Sequence, residues 1–371
     1  MTQERLALLA LRAVPGIGDH LFKQLIGFFG SAQSVFELPK RKLHRIYGIG
    51  ETISSAITNK SSFKSAEQEI KKAESAGVQL VFFHEPMYPS RMASIPDSPA
   101  LLYIQGNINL NRERILAIVG TRKATDYGKS TTASLIEELA EYNPLILSGL
   151  AFGIDIHAHK AALKCHLPTV AVLGSGLDNV YPSAHRDIAE KMLAGGALIT
   201  EKPFGTKPDA HNFPARNRII AGLCDALIVI EASERGGALI TAGIANSYNR
   251  DVFAIPGNLN SPYSVGCNRL IRNLEAQLLT NARDLEYHLN WNALEKVRLS
   301  SETTGLPAED LVIIQTLTGH NCLSVDELAL KTQLNPGLLS LSLLNLEFRD
   351  QIEALPGNHY KLKHNYSRKA S

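Results

Sequence analysis

From Ile115 onward the chain keeps returning to one pattern. Short, continuous apolar runs stand at Ile115–Val119, Leu145–Leu147, Thr169–Leu173, Ala197–Thr200, Ala226–Ile230, Val252–Ile255 and Gln277–Leu279, with helix-length amphipathic segments between most of them. A strand that is apolar on both faces must be covered on both faces, and the intervening helices supply the covers. The pattern therefore predicts an α/β fold built on a largely parallel sheet. Two more strands, Val78–Phe83 and Ala100–Ile104, precede it around a proline-rich connection. In such sheets ligands bind beyond the carboxyl ends of the strands, so the loops after each run are where function is sought.

The loop after the second run is the most distinctive. Leu145 to Lys164 reads LILSGLAFGIDIHAHKAALK: a strand, a turn carrying Gly149 and Gly153, then a helix. Ser148 and the amides from Gly149 to Gly153 suit an anion, because backbone N–H groups and the helix dipole converge there. Asp155 and His159 fall one helical turn apart. No third ligand accompanies them, so the pair reads as structural and no metal is expected. After the first run, Gly120 allows a tight turn, Thr121 offers a hydroxyl and Arg122 can fork onto a phosphate. The alternative for Arg122 is an ordinary surface arginine.

The remaining loops add further grips. Leu173-Gly174-Ser175-Gly176 lacks the G-x-S-x-G spacing of a hydrolase elbow. Glu201 and Lys202 follow the fourth run, and Arg216, Asn217 and Arg218 open the next helix behind Phe213 and Pro214. These cations form either a second anion site or a salt-bridged structural cluster. Neither GxxxxGK[ST] nor a G-x-G-x-x-G with a following acidic residue is present, which disfavours ATP hydrolysis and a dinucleotide cofactor. No nucleophile–base pair or carboxylate pair stands out. No cofactor is expected. The helix after Gly237 carries no charge from Ala238 to Asn249, so Leu239, Ile240 and Ile244 are expected at a subunit interface.

Composition narrows the classes. A net charge of +2 means that any polyanion site must be a local cluster. Hydrophobic content of 44% and charged content of 20% suit a globular chain. No apolar run is long enough to span a membrane, and the first residues lack a signal-peptide pattern, so a cytoplasmic protein is expected. The four cysteines are scattered without a CxxC pair and read as reduced thiols.

The flanks predict two further modules. Residues 1–62 read as a helical module in which Val14-Pro15-Gly16-Ile17-Gly18 and Ile46-Tyr47-Gly48-Ile49-Gly50 resemble the turns of tandem helix-hairpin-helix units. Such turns either approach phosphates or serve packing alone. A polar helix at 63–77 closes on Gly77. Near the other end, residues 300–310 read as a linker. Three helices follow at Asp310–Thr318, Ser324–Thr332 and Pro336–Arg349, then a hairpin turning at Pro356-Gly357. This is a winged-helix pattern. Its third helix is apolar and nearly free of basic side chains, which favours protein contact or a structural role over duplex reading. The expected division is 1–62, 75–290 and 300–365.

Taken together, GTR (Gly120–Arg122), SGLAFGID (Ser148–Asp155), LGSGLDNVYP (Leu173–Pro182), FPARNRIIAGL (Phe213–Leu223), RGGALIT (Arg235–Thr241) and FAIPG (Phe253–Gly257) closely resemble the DprA/Smf family over nearly all of residues 75–290. The resemblance implies an extended Rossmann-like core flanked by an N-terminal helical (helix-hairpin-helix or SAM-like) module and a C-terminal winged helix. It implies a homodimer that binds single-stranded DNA, protects incoming DNA and delivers RecA to it during natural transformation, without catalysis. The family's pocket carries over onto Arg122, Ser148, Gly149, Gly153, Asn217 and Arg218, and Gly120, Thr121 and Lys202 are further candidates for phosphate contact. Phe152 stands where several members have lysine; it removes one phosphate contact and offers a ring for base stacking instead. The competing readings are a small-nucleotide sensor and an enzyme cleaving nucleotides at the phosphoribosyl bond, with Glu201 or Glu231 as its acid.

Overall fold

The structure is a computed structural model that describes residues 2–291, 307–317, 322–349, 351–355 and 357–362. The chain divides into two compact units, residues 1–291 and 292–371.

The larger unit is organised by a nine-stranded sheet: β1 (Val78–Phe82), β2 (Leu101–Gly106), β3 (Ile115–Val119), β4 (Leu145–Ser148), β5 (Thr169–Val172), β6 (Ala197–Thr200), β7 (Ala226–Val229), β8 (Asp251–Ala254) and β9 (Gln277–Leu278). Their spatial order is β1-β2-β6-β5-β4-β3-β7-β8-β9. β3 through β9 pair in parallel, while β1–β2 and β2–β6 are antiparallel. The chain winds outward from β3 through β4, β5 and β6, then returns to start again at β7 on the other side. That reversal opens a crevice between the loops after β3 and β7.

The two faces of the sheet bury separate cores. Ile115, Ala117 and Val119 point to the face covered by the helices Asn212–Leu223 and Gly237–Ser247. The opposite core joins Leu150, Ala171 and Leu198 to the N-terminal helices through Leu11, Phe22 and Ile57. Those helices are Gln3–Arg12, Asp19–Phe29, Ala32–Phe36, Lys40–Leu43 and Glu51–Thr58, followed by Phe63–Ser75. Residues 2–291 thus share one folded unit, with the helical module packed onto the sheet's β1 side.

The second unit is small. Helices Ala308–Leu317, Val325–Thr332 and Pro336–Phe348 pack with strands Leu323–Ser324, Ile352–Leu355 and His359–Leu362, whose hairpin forms the wing. The second helix opens on a capping box between Ser324 and Glu327. Its third helix buries Leu339, Leu343 and Leu346 and exposes Leu338, Leu341, Leu344 and Phe348. Residues 300–306 of the expected 300–310 linker, the helix end at Thr318 and Pro356 of the expected wing turn lie outside the described residues, and the linker's last three residues belong to the helix Ala308–Leu317.

Candidate nucleic-acid interface

The crevice beyond β3 and β7 holds a cavity of about 570 Å³. Its walls are Gly120 to Lys123 after β3, Asn217 on the helix Asn212–Leu223, and Ser233, Arg235, Gly236 and Gly237 leading into the next helix. A smaller aromatic slot adjoins it, lined by Phe152, Tyr181 and Phe213; Arg122, Phe213 and Arg216 border both spaces.

Arg122 is exposed, and its guanidinium lies 5.4 Å from the Phe213 ring centroid. No hydrogen bond or ion pair engages that guanidinium among the described residues, so it faces solvent as a cation resting on an aromatic ring. Thr121 shapes the loop: its amide donates to the Glu231 carbonyl (2.8 Å), and its hydroxyl accepts from the Lys123 amide (3.2 Å).

The loop after β4 departs from the expectation for a phosphate cradle. The Gly149 and Ala151 amides donate to Asp155 Oδ2 at 3.2 and 3.4 Å, so the chain's own carboxyl sits where an external anion was expected. Burial pushes the Asp155 carboxyl above its ordinary pKa, against the pull of Arg216 and the two amides. Ser148 is fully buried and donates to the Ile118 carbonyl (2.6 Å), which ties β4 to β3. Gly149 is small for a reason inside the protein: a Cβ there would lie 2.5 Å from Arg216 Nη1. Gly153 has φ +78°, and a Cβ would overlap the Thr121 carbonyl, so it lets this loop close on the one after β3. No hydrogen bond joins His159 to Asp155 among the described residues. His159 Nδ1 meets Thr169 Oγ1 at 2.7 Å; because that hydroxyl already donates to Ile146 O (2.9 Å), the imidazole donates from Nδ1. Burial pulls the His159 pKa down to about 3, which keeps the ring neutral.

Arg216, Asn217 and Arg218 diverge because successive helical residues point about 100° apart. Arg216 turns into the sheet and donates from Nη1 to Gly149 O (2.7 Å) and to Val172 O, stitching the ends of β4 and β5. Burial lowers its pKa to about 10. Asn217 reaches the cavity. Arg218 turns the other way and pairs with Glu201 and, at 3.4 Å, with Asp19 of the N-terminal helices. Lys202 also pairs with Glu201 (3.2 Å). Arg218, Lys202 and Ser148 are therefore engaged internally and do not line the cavity. The salt-bridged alternative describes Arg218, and backbone stitching describes Arg216.

The carboxylates considered for catalysis are engaged too. Glu201 holds Arg218 and Lys202. Glu231 is buried and accepts from the Thr125 amide (2.9 Å) and hydroxyl (2.5 Å). The Ser175 hydroxyl donates to Asn179 O (2.6 Å).

What sequence reasoning missed is the aromatic slot. Phe152 is 47% and Tyr181 45% exposed, with Tyr181 5.8 Å from Phe213 and Phe152 edge-on to His185 at 4.8 Å. Tyr181 and Phe213 both stood within recognised motifs, but their convergence across separate loops has no local signal. Also unforeseen is the open start of the helix Gly237–Ser247. Its N-cap is Gly236, no side chain caps it, and its first residues line the cavity. On that helix Ile240 is exposed, while Leu239 and Ile244 are partly buried against the core.

Comparison with known proteins follows the same outline. The family profile described as DNA recombination-mediator protein A matches residues 79–290, and a DprA winged-helix profile matches residues 300–358. Protein Smf of Synechocystis is 32% identical over 393 residues, spanning 95% of this chain and 97% of that one. The X-ray structure of DprA from Streptococcus pneumoniae superposes with a TM-score of 0.62 at 33% identity, covering 77% of this chain and 98% of that one. A DprA structure from Helicobacter pylori, described for its single-stranded DNA binding mode, gives a TM-score of 0.53 at 29% identity over 58% of this chain and 97% of that one. With the motif order, the sheet and both profiles in agreement, this chain belongs to the DprA/Smf family of DNA recombination-mediator proteins.

Proposed function

We propose that this protein grips single-stranded DNA in the cavity beyond β3 and β7, without catalysing its cleavage, and passes the strand to RecA. The observation that carries the reading is the Arg122–Phe213 corner, where an unpaired guanidinium borders both a polar cavity and an aromatic slot. A cation for the phosphate beside rings for the bases is the combination that sites for single strands use. Asn217 and the open helix start at Gly236 add neutral donors on the far wall. A phosphoribosyl-cleaving enzyme needs an available acid. Among the described residues Asp155 is the one acid lining the cavity, and two amides occupy it.

The delivery of RecA and the protection of incoming DNA rest on family membership. The homodimer rests on the uncharged helix Gly237–Ser247. Ile240, at 51% exposure, is its most prominent apolar side chain and also borders the cavity, so pairing through it would bring two cavities together. On the winged helix, the exposed row Leu338, Leu341, Leu344 and Phe348 has no side chain suited to reading base edges, which favours contact with protein.

The direct test is oligo-dT binding measured across salt concentrations. The expected result is a negative slope, reflecting several neutralised phosphates. Tight mononucleotide binding with no oligonucleotide binding would sink the reading. Ile240→Glu is expected to yield a monomer by light scattering; an unchanged dimer removes that interface. For the RecA step, the protein is expected to speed RecA filament formation on protein-coated single strands, and unchanged kinetics would remove it.

A further inference from the structure

The helical module carries a feature that the cavity does not use. The segment Lys40 to Tyr47 reads KRKLHRIY. Lys40 and His44 are tied to Glu51, the latter pair at 3.2 Å. Arg41, Lys42 and Arg45 are exposed, and their side chains take part in no hydrogen bond or ion pair among the described residues. Tyr47, at the tip of the same hairpin, is 93% exposed. A fold gains nothing from three unpaired cations and a bare aromatic ring within seven residues; self-repulsion and lost apolar burial both count against it.

This patch connects with the cavity through a short run of contacts. Asn217 lines the cavity, and the adjacent Arg218 pairs with Asp19 of the helix Asp19–Phe29. Leu21 on that same helix packs under Gly48, beside Tyr47; a Cβ on Gly48 would lie 4.0 Å from its methyl groups. The hairpin thus stands on the element that braces the cavity wall.

We propose that Arg41, Lys42, Arg45 and Tyr47 form a second contact for single-stranded DNA, engaging phosphates and a base of the same strand after it leaves the cavity. Exposed cations fit a phosphodiester backbone, and an open tyrosine ring fits an unpaired base, which a duplex does not offer. The inference rests on the reading of the cavity as a DNA site and extends it to a longer footprint.

The test compares wild type, the triple variant R41A/K42A/R45A and Tyr47→Ala on two ligands. One is an oligo-dT of about 6 nucleotides, enough for the cavity alone; the other is several times longer. The triple variant is expected to bind the short ligand as wild type does. It should bind the long one about tenfold more weakly at low salt, with a salt slope smaller by about 2. Tyr47→Ala should weaken only the long ligand and leave the slope unchanged. Equal long-strand affinity in wild type and the triple variant overturns the proposal, as does a loss confined to duplex DNA. If wild type fails to bind the short ligand while long-strand binding still depends on Arg41, Lys42 and Arg45, the cavity reading falls, and with it the single strand shared by both places; the patch is then a separate DNA contact.

Discussion

Two glycine-rich helix starts face the same crevice and do opposite things. At Gly149–Gly153 the amides turn inward onto Asp155, and Gly149 makes room for Arg216. At Gly236–Gly237 no side chain caps the helix, and its first residues face the cavity. Only the first reads as an anion cradle in sequence; the second emerges with the fold. The difference is a single carboxyl group in the first turn of the first helix. A glycine-rich turn announces that something approaches the backbone closely; it does not announce whether that something is a ligand or the protein itself.

The comparison can be broken at the closed seat first. Asp155→Ala strips two largely buried amides of their acceptor and is expected to cost roughly 3 kcal/mol of stability, read from urea unfolding. A stable Asp155→Ala protein with tighter oligo-dT binding would instead make that loop the phosphate seat. At the open side, Arg122→Ala should leave unfolding unchanged. It should weaken oligo-dT binding by about 2 kcal/mol, as loss of a charge-assisted contact, and reduce the salt slope by about 0.7. Retained affinity would move the phosphate away from this corner.

The closed seat also carries a pH signature. The pKa of His159 is about 3 when folded, against about 6.5 when unfolded. Between these values the unfolded chain binds the extra proton, so stability falls as pH falls through that window. The contribution of this group is fully present above the unfolded value. At pH 5.5 the loss should be about 1.4 kcal/mol. His159→Asn, whose side-chain amide can still donate to Thr169, should remove that part of the slope; an unchanged pH dependence would show that the ring is not held neutral. The smallest effect is expected in the slot, where Phe152→Ala should cost about 1 kcal/mol in oligonucleotide affinity and nothing in stability. No change in affinity would leave Phe152 as a packing partner of His185.

Much of the fold was legible. Strands buried on both faces read as unbroken apolar runs, and the observed strands begin or end within two residues of them; β8, for example, is Asp251–Ala254 against an expected Val252–Ile255. The rule that ligands bind beyond the carboxyl ends of the strands pointed to the loops after β3, β4 and β7, but the strand order that gathers them is seen only in the structure. The site's division of labour was not legible. Ser148 has the right chemistry for a ligand and donates to the Ile118 carbonyl. Arg218 resembles a phosphate grip until the N-terminal helices bring Asp19 to it, 199 positions away in sequence. Tyr181 and Phe213 meet only once their separate loops have folded. In each case the deciding partner is remote in the chain, beyond the reach of any local pattern.

The triplet Arg216-Asn217-Arg218 also gears three parts of the molecule to one rotation. Turning that helix by even a fraction of a turn would loosen the stitch at Val172, move the amide in the cavity and strain the pair with Asp19 together. On the proposed reading, a strand that fixed Asn217 would by reciprocity steady the docking of the N-terminal helices, and displacing those helices would change the hold on the strand. A partner that never touches the crevice could therefore govern release from it by leaning on the helix that carries Asp19.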